Sequence, residues 1–103
     1  MPNFVVERYR SSSDPDSLWA VAVRLTAGAR DTRLDGTSVR YVSTIFLPAD
    51  ETCLHVFEAD SEADVLAVTR QAGIEVDRIV PAEQIESGKV GSLVHRSEKE
   101  GQS

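Results

Sequence analysis

A single cysteine among 103 residues excludes a disulfide within the chain and suits a reducing compartment. Nowhere do apolar residues run for the roughly 20 positions that a membrane-spanning helix needs. The opening "MPNFVVERYR" has no basic segment followed by a long apolar one, so no secretory signal is expected and a cytoplasmic location is. Positive charge is scarce as well: 11 Lys and Arg stand against 17 Asp and Glu, a formal charge of -6. Basic residues are scattered, Arg8, Arg10, Arg24, Arg30, Arg33, Arg40, Arg70 and Arg78 among them, and make no basic stripe. Neither a nucleic acid nor an anionic membrane is therefore an expected partner. No P-loop, dinucleotide fingerprint, zinc-finger spacing or nucleophile elbow occurs, so no nucleotide cofactor is expected. The aspartates of "DPD" and "PADE" lack the spacing of a calcium loop and read as cap and turn residues.

What is present is the composition of an ordinary globular domain, 41% hydrophobic and 27% charged. "NFVVERY" (3–9) is β-branched and aromatic, a first strand. Asp14 before Pro15 starts a helix, the carboxylate capping free amides and the proline fitting the first turn. Leu18, Ala22, Leu25 and Ala29 follow at helical spacing, with Trp19 and Val23 beside them and Trp19 read as core. "VRYVSTIFL" (39–47) and "TCLHVFEA" (52–59) are two strands joined by "PADE", a hairpin. Ser61 caps a second helix whose apolar stripe is Val65, Leu66, Val68 and Ala72, and Gly73 ends it. "IEVDRIV" (74–80) alternates as a fourth strand. Residues 1–85 thus form one domain. Residues 86–103 form a polar, partly disordered tail in which "KVGSLVH" could add a short edge strand.

The order β-α-β-β-α-β is the ferredoxin-like plan, an α+β sandwich with two helices on one face of a four-stranded antiparallel sheet. Pairing Leu47 with Thr52 sets Ile45 against Leu54, Ser43 against Val56 and Tyr41 against Glu58. The other face then joins Phe46 to Cys53, Thr44 to His55 and Val42 to Phe57. Both faces are substantially apolar, so something besides the helices must cover the second one. A second copy related by two-fold symmetry is the simplest cover, and a homodimer is expected.

"FVVERY", "VRYVSTIFLPADETC", "LHVFEADSEADV" and "AGIEVDRIV" together resemble a small ferredoxin-like family long labelled a domain of unknown function. The resemblance spans residues 3–82. It implies a dimeric sandwich and, because the family's relatives include a bacterial nickel-binding protein, a divalent metal such as nickel.

Among residues that could carry chemistry, Cys53 and His55 lie two apart in one strand and share a face. Thiolate and imidazole both suit nickel, zinc or copper, with further donors needed from Glu7, Glu58, His95 or a partner chain. Filling of the sheet is the plainer alternative, because buried cysteine commonly acts as a small hydrophobe. Glu7, Tyr9 and Glu58 make a second group near the central strands, where a glutamate in a half-apolar cavity could act as general acid or base. The alternative there is a rim carboxylate paired with Arg8, Arg40 or Arg78. Three functions stay open. One is a nickel or other divalent-metal protein using Cys53 and His55. Another is a cofactor-free isomerase or cyclase using Glu58, His55 and Tyr41, with Arg40, Tyr9 and Glu7 holding substrate. The third is a non-catalytic binding module.

Overall fold

The computed structural model describes residues 2–9 and 15–85. The elements run β1 (Asn3–Tyr9), α1 (Pro15–Leu34), β2 (Val39–Leu47), a 3-10 turn (Pro48–Asp50), β3 (Thr52–Ala59), α2 (Glu62–Ala72) and β4 (Arg78–Ala82). The sheet is antiparallel in the order β2-β3-β1-β4, which with two helices is the ferredoxin-like α+β fold. The expected cap at Asp14, the edge strand at 89–95, the tail and His95 lie outside the described residues.

Burial separates the two sheet faces. In β3, Cys53, His55, Phe57 and Ala59 are buried while Leu54, Val56 and Glu58 are half-buried, the period of two that a half-covered strand shows. The buried set faces the helices, and its Phe57 and Ala59 join Val6, Val39, Leu25, Ala29, Val65, Val68, Ala72 and Ile74 in one core. The helices cross closely where Gly28 sits, since a β-carbon there would stand 2.9 Å from the carbonyl oxygen of Val68. Arg24 fastens the same crossing, donating from Nε to the Ala72 carbonyl at 3.0 Å and from Nη2 to that of Gly73 at 2.8 Å.

α2 begins and ends as its sequence directs. The Ser61 hydroxyl accepts from the Asp64 amide at 3.3 Å. Gly73 takes the left-handed conformation at φ 68, and Ile74 N–H reaches back to the Thr69 carbonyl at 2.9 Å, the Schellman ending.

Three expectations are corrected. The fourth strand is Arg78–Ala82 rather than 74–80, because Ile74 is drawn into the core and the Asp77 side chain accepts from the Tyr9 amide before pairing with β1 begins. Pro81 is tolerated because β4 is an edge strand. Trp19 is not core but 75% exposed. At 3.6 residues per turn it lies about 120° around the helix from Leu25, away from the face that meets the sheet.

The third correction is the hairpin register. Leu47 to Ser43 pair with Thr52 to Val56 as expected, but a bulge between Tyr41 and Ser43 then shifts the ladder. Tyr41 faces Phe57 instead of Glu58, and Arg40 faces Glu58. The extra residue, Val42, carries Tyr41 over to the helix side. There its ring lies 5.5 Å from that of Phe57.

Candidate functional site: a hydroxyl relay on the edge strand

β2 is an edge strand, and α1 runs beside it. Between them lies a groove of about 510 Å³ lined on the helix side by Leu18, Trp19, Ala22 and Thr26. Its strand side is Tyr41, Val42, Ser43, Thr44 and Phe46. The bulge is what brings polar groups there, because it sets Tyr41 on the same side of β2 as Thr44, three residues on.

The Tyr41 hydroxyl contacts the Thr44 hydroxyl in a short hydrogen bond. Thr44 Oγ1 in turn lies 2.7 Å from Nδ1 of His55, whose side chain is fully buried. A phenol at the groove is thereby connected through one hydroxyl to an imidazole inside the core. Burial raises the pKa of Tyr41 above its ordinary value, with the Thr44 hydrogen bond opposing that in part. Tyr41 consequently stays protonated at neutral pH and serves as a hydrogen-bond donor rather than a phenolate.

A hydroxyl can donate one hydrogen bond while accepting another, so the chain can run in either direction. With a proton on His55 Nδ1, each group donates outward and Tyr41 offers a donor to the groove. With Nδ1 bare, each donates inward and Tyr41 offers an acceptor. The relay can therefore meet a ligand carbonyl or a ligand hydroxyl.

The other candidate residues fall elsewhere. Glu58 lies on the opposite face of the sheet from His55 and Tyr41, so the three do not form one catalytic group. Its carboxylate accepts from Arg40 Nη2 at 2.6 Å and Nε at 3.3 Å, and this hydrogen bonding holds its pKa below the usual carboxylate range. Arg40 is thus engaged with Glu58 rather than poised over the groove. Glu7 and Tyr9 also occupy the open face. Glu7 pairs with Arg78 at 3.4 Å and accepts from the Tyr9 hydroxyl at 3.4 Å. Glu7 stands opposite Leu54 while Glu58 stands opposite Asn3, four residues away along β1 and so about 13 Å apart. Glu7, Tyr9 and Glu58 therefore make no common constellation.

Cys53 and His55 do share the helix-facing side and are both buried. They supply two donors, and no group of three or more His, Cys, Asp or Glu able to hold a metal occurs among the described residues. Nδ1 of His55 is also occupied by Thr44. Protein metal centres of transition ions use three or four protein ligands, so these residues do not fit one by themselves. Thr44 was not singled out from the sequence, although its place opposite His55 was the available signal; the exposure of Trp19 had none.

No protein-family model matches the chain, and no curated protein matches it. Among solved structures, the crystal structure of SCO4226 from Streptomyces coelicolor A3(2) is similar, with a TM-score of 0.66. The match covers 82% of this chain and 99% of that one at 20% sequence identity. A likeness at that identity establishes a shared fold.

Proposed function

We propose that the chain binds a small, mostly apolar molecule in the groove between α1 and β2, and that Tyr41, Thr44 and His55 exchange a proton with its polar group. The observation that carries this reading is the unbroken hydrogen-bonded path from the groove to the buried imidazole. Leu18, Trp19, Ala22, Val42 and Phe46 would hold the apolar body. In the inward direction a ligand hydroxyl gives its proton to the Tyr41 oxygen, Tyr41 gives its own to Thr44, and Thr44 gives its own to Nδ1. The ligand is left as an oxyanion and His55 as an imidazolium. The reverse sequence protonates a ligand oxyanion. Such a transfer suits keto–enol and related isomerisations that need no cofactor.

The test uses the indole N–H of Trp19, the chain's one tryptophan, as an NMR reporter of titration with 2-naphthol and with 2-methoxynaphthalene. The naphthol should bind more tightly, and Tyr41→Phe should erase the difference while leaving the amide spectrum folded. Equal affinity in the parent, or an unchanged preference in the variant, would overturn the reading.

A divalent metal such as nickel is the second reading, supported by the common face of Cys53 and His55 and requiring ligands from residues 86–103 or another chain. Calorimetric titration of nickel into tag-free protein and its His55→Ala variant checks it.

The open sheet face supports a homodimer. Ile45, Leu54, Val56, Val5 and Val80 form a diagonal apolar band across it. The ion pairs Arg78–Glu7 and Arg40–Glu58 lie at opposite corners of that band. Both pairs are neutralised within the chain, so a copy laid on this face would bury apolar area without stranding a charge.

A further inference from the structure

The groove that holds the relay does not end at Thr26. A second groove of about 560 Å³ continues along α1, sharing Trp19, Ala22 and Thr26 with the first and adding Val23, Ala27, Arg30 and Arg33. From Leu18 to Arg33 the surface follows fifteen residues of helix, about 22 Å at 1.5 Å per residue. Its apolar part centres on Trp19, and Val23 beside it is 64% exposed.

Charge along this surface runs against that of the molecule. The chain carries -6 overall, with 17 acidic residues, yet among the described residues no Asp or Glu lines either groove, and two arginines close the far end. Arg33 is held in place by its Nη1, which donates to the Val39 carbonyl at 3.0 Å, and among the described residues no acceptor is taken up by the other two nitrogens of its guanidinium. Val39 and Tyr41 lie on the same side of β2, so Arg33 is anchored one strand repeat from the relay. Arg30 is an exposed neighbour in a loose ion pair with Asp31 at 3.8 Å, beyond hydrogen-bond length, so a ligand carboxylate at Arg30 would compete with that weak surface contact.

We infer that the ligand of this site is a carboxylate-bearing amphiphile, its apolar body against Trp19 and its carboxylate at Arg30 and Arg33. This rests on the groove reading above and adds the charge of the ligand to it. An arginine fork suits a carboxylate because two parallel N–H bonds match its two oxygens. The net charge of -6 disfavours anions at long range, and the pair of arginines gives the groove an end at which a negative head can dock.

Titrations of 2-naphthoate and uncharged 2-naphthamide, followed at the Trp19 indole, separate charge from shape. Naphthoate should bind about fivefold more tightly at low salt, the factor an exposed ion pair supplies at the top of its usual range. The preference should shrink as salt rises to 0.5 M, where the screening length is a few ångströms. Arg30→Gln, and Arg33→Gln with Arg33→Lys as its folding-safe companion, should lower naphthoate affinity and leave that of the amide unchanged. Arg70→Gln, on α2, should alter neither. Equal binding of the two probes by the parent would overturn the carboxylate inference while leaving the groove reading intact. Binding of neither probe would overturn both.

Discussion

Thr44 Oγ1 lies 2.7 Å from Nδ1 of His55, directly across the β2–β3 ladder, and joins a buried imidazole to a half-buried phenol. Replacing Thr44 with the nearly isosteric valine keeps the volume and removes both hydrogen bonds. The loss should cost about 1–3 kcal/mol, the penalty for depriving a buried polar group of its partner. Urea denaturation measures it, and an unchanged midpoint would mean that the relay contributes nothing to the fold.

The same variant makes a spectroscopic prediction. The Thr44 hydrogen bond lowers the pKa of Tyr41 against the larger effect of burial, so without it Tyr41 should ionise at still higher pH. Absorbance titration near 295 nm in a Tyr9→Phe background follows Tyr41, the one tyrosine left. A shift toward lower pH would contradict the assigned roles.

Much of this arrangement was readable in the residues, and the part that was not has a physical reason. The β-branched runs, Ser61 and Gly73 each carry a local signal, which is why both hairpin strands and α2 lie where they were expected. The bulge at Val42 carries none: "VRYVSTIFL" alternates equally well in either register, and packing of Tyr41 onto Phe57 decides it. Reading the strand without the bulge put Tyr41 beside Glu58 and so grouped residues that occupy opposite faces. The face of α1 that meets the sheet depends likewise on the crossing with α2 at Gly28, a contact 40 residues distant in sequence at Val68, and this leaves Trp19 outside.

Gly28 itself yields a prediction opposite to helix propensity. In an exposed helix interior, glycine to alanine gains about 1 kcal/mol. Here the added carbon would meet the Val68 carbonyl at 2.9 Å and Ala72 Cβ at 3.3 Å, both on a packed helix. Gly28→Ala should therefore destabilise, with overpacking costing about 1–3 kcal/mol. A raised melting temperature would show that the helices separate freely at this crossing.

Glu58 should leave its mark on the acid side of the stability profile. Hydrogen bonding to Arg40 lowers its folded pKa, so the folded chain releases this proton more readily than the unfolded one. The pair then adds stability above the unfolded value, about 4.3, and loses it as pH falls through the depressed folded value. Arg40→Gln should lower the urea midpoint at pH 6 and converge with the parent near pH 3. Parallel profiles would refute the linkage.

The open sheet face supplies the remaining prediction. Ile45 is 48% exposed and Leu47 37%, on the strand that also borders the groove. A two-fold dimer through the band from Ile45 to Val80 would bury these side chains with Leu54, Val56 and Val5. Light scattering at tens of micromolar should give twice the 11.3 kDa of one chain. Ile45→Lys places a charge at the edge of that band, where a monomer tolerates lysine well and an apolar interface does not. It should yield a folded monomer whose Tyr41 titration is unchanged, since Ile45 and Tyr41 lie on opposite faces of β2. An 11.3 kDa parent would remove the dimer, and a dimeric Ile45→Lys protein would move the interface off this face.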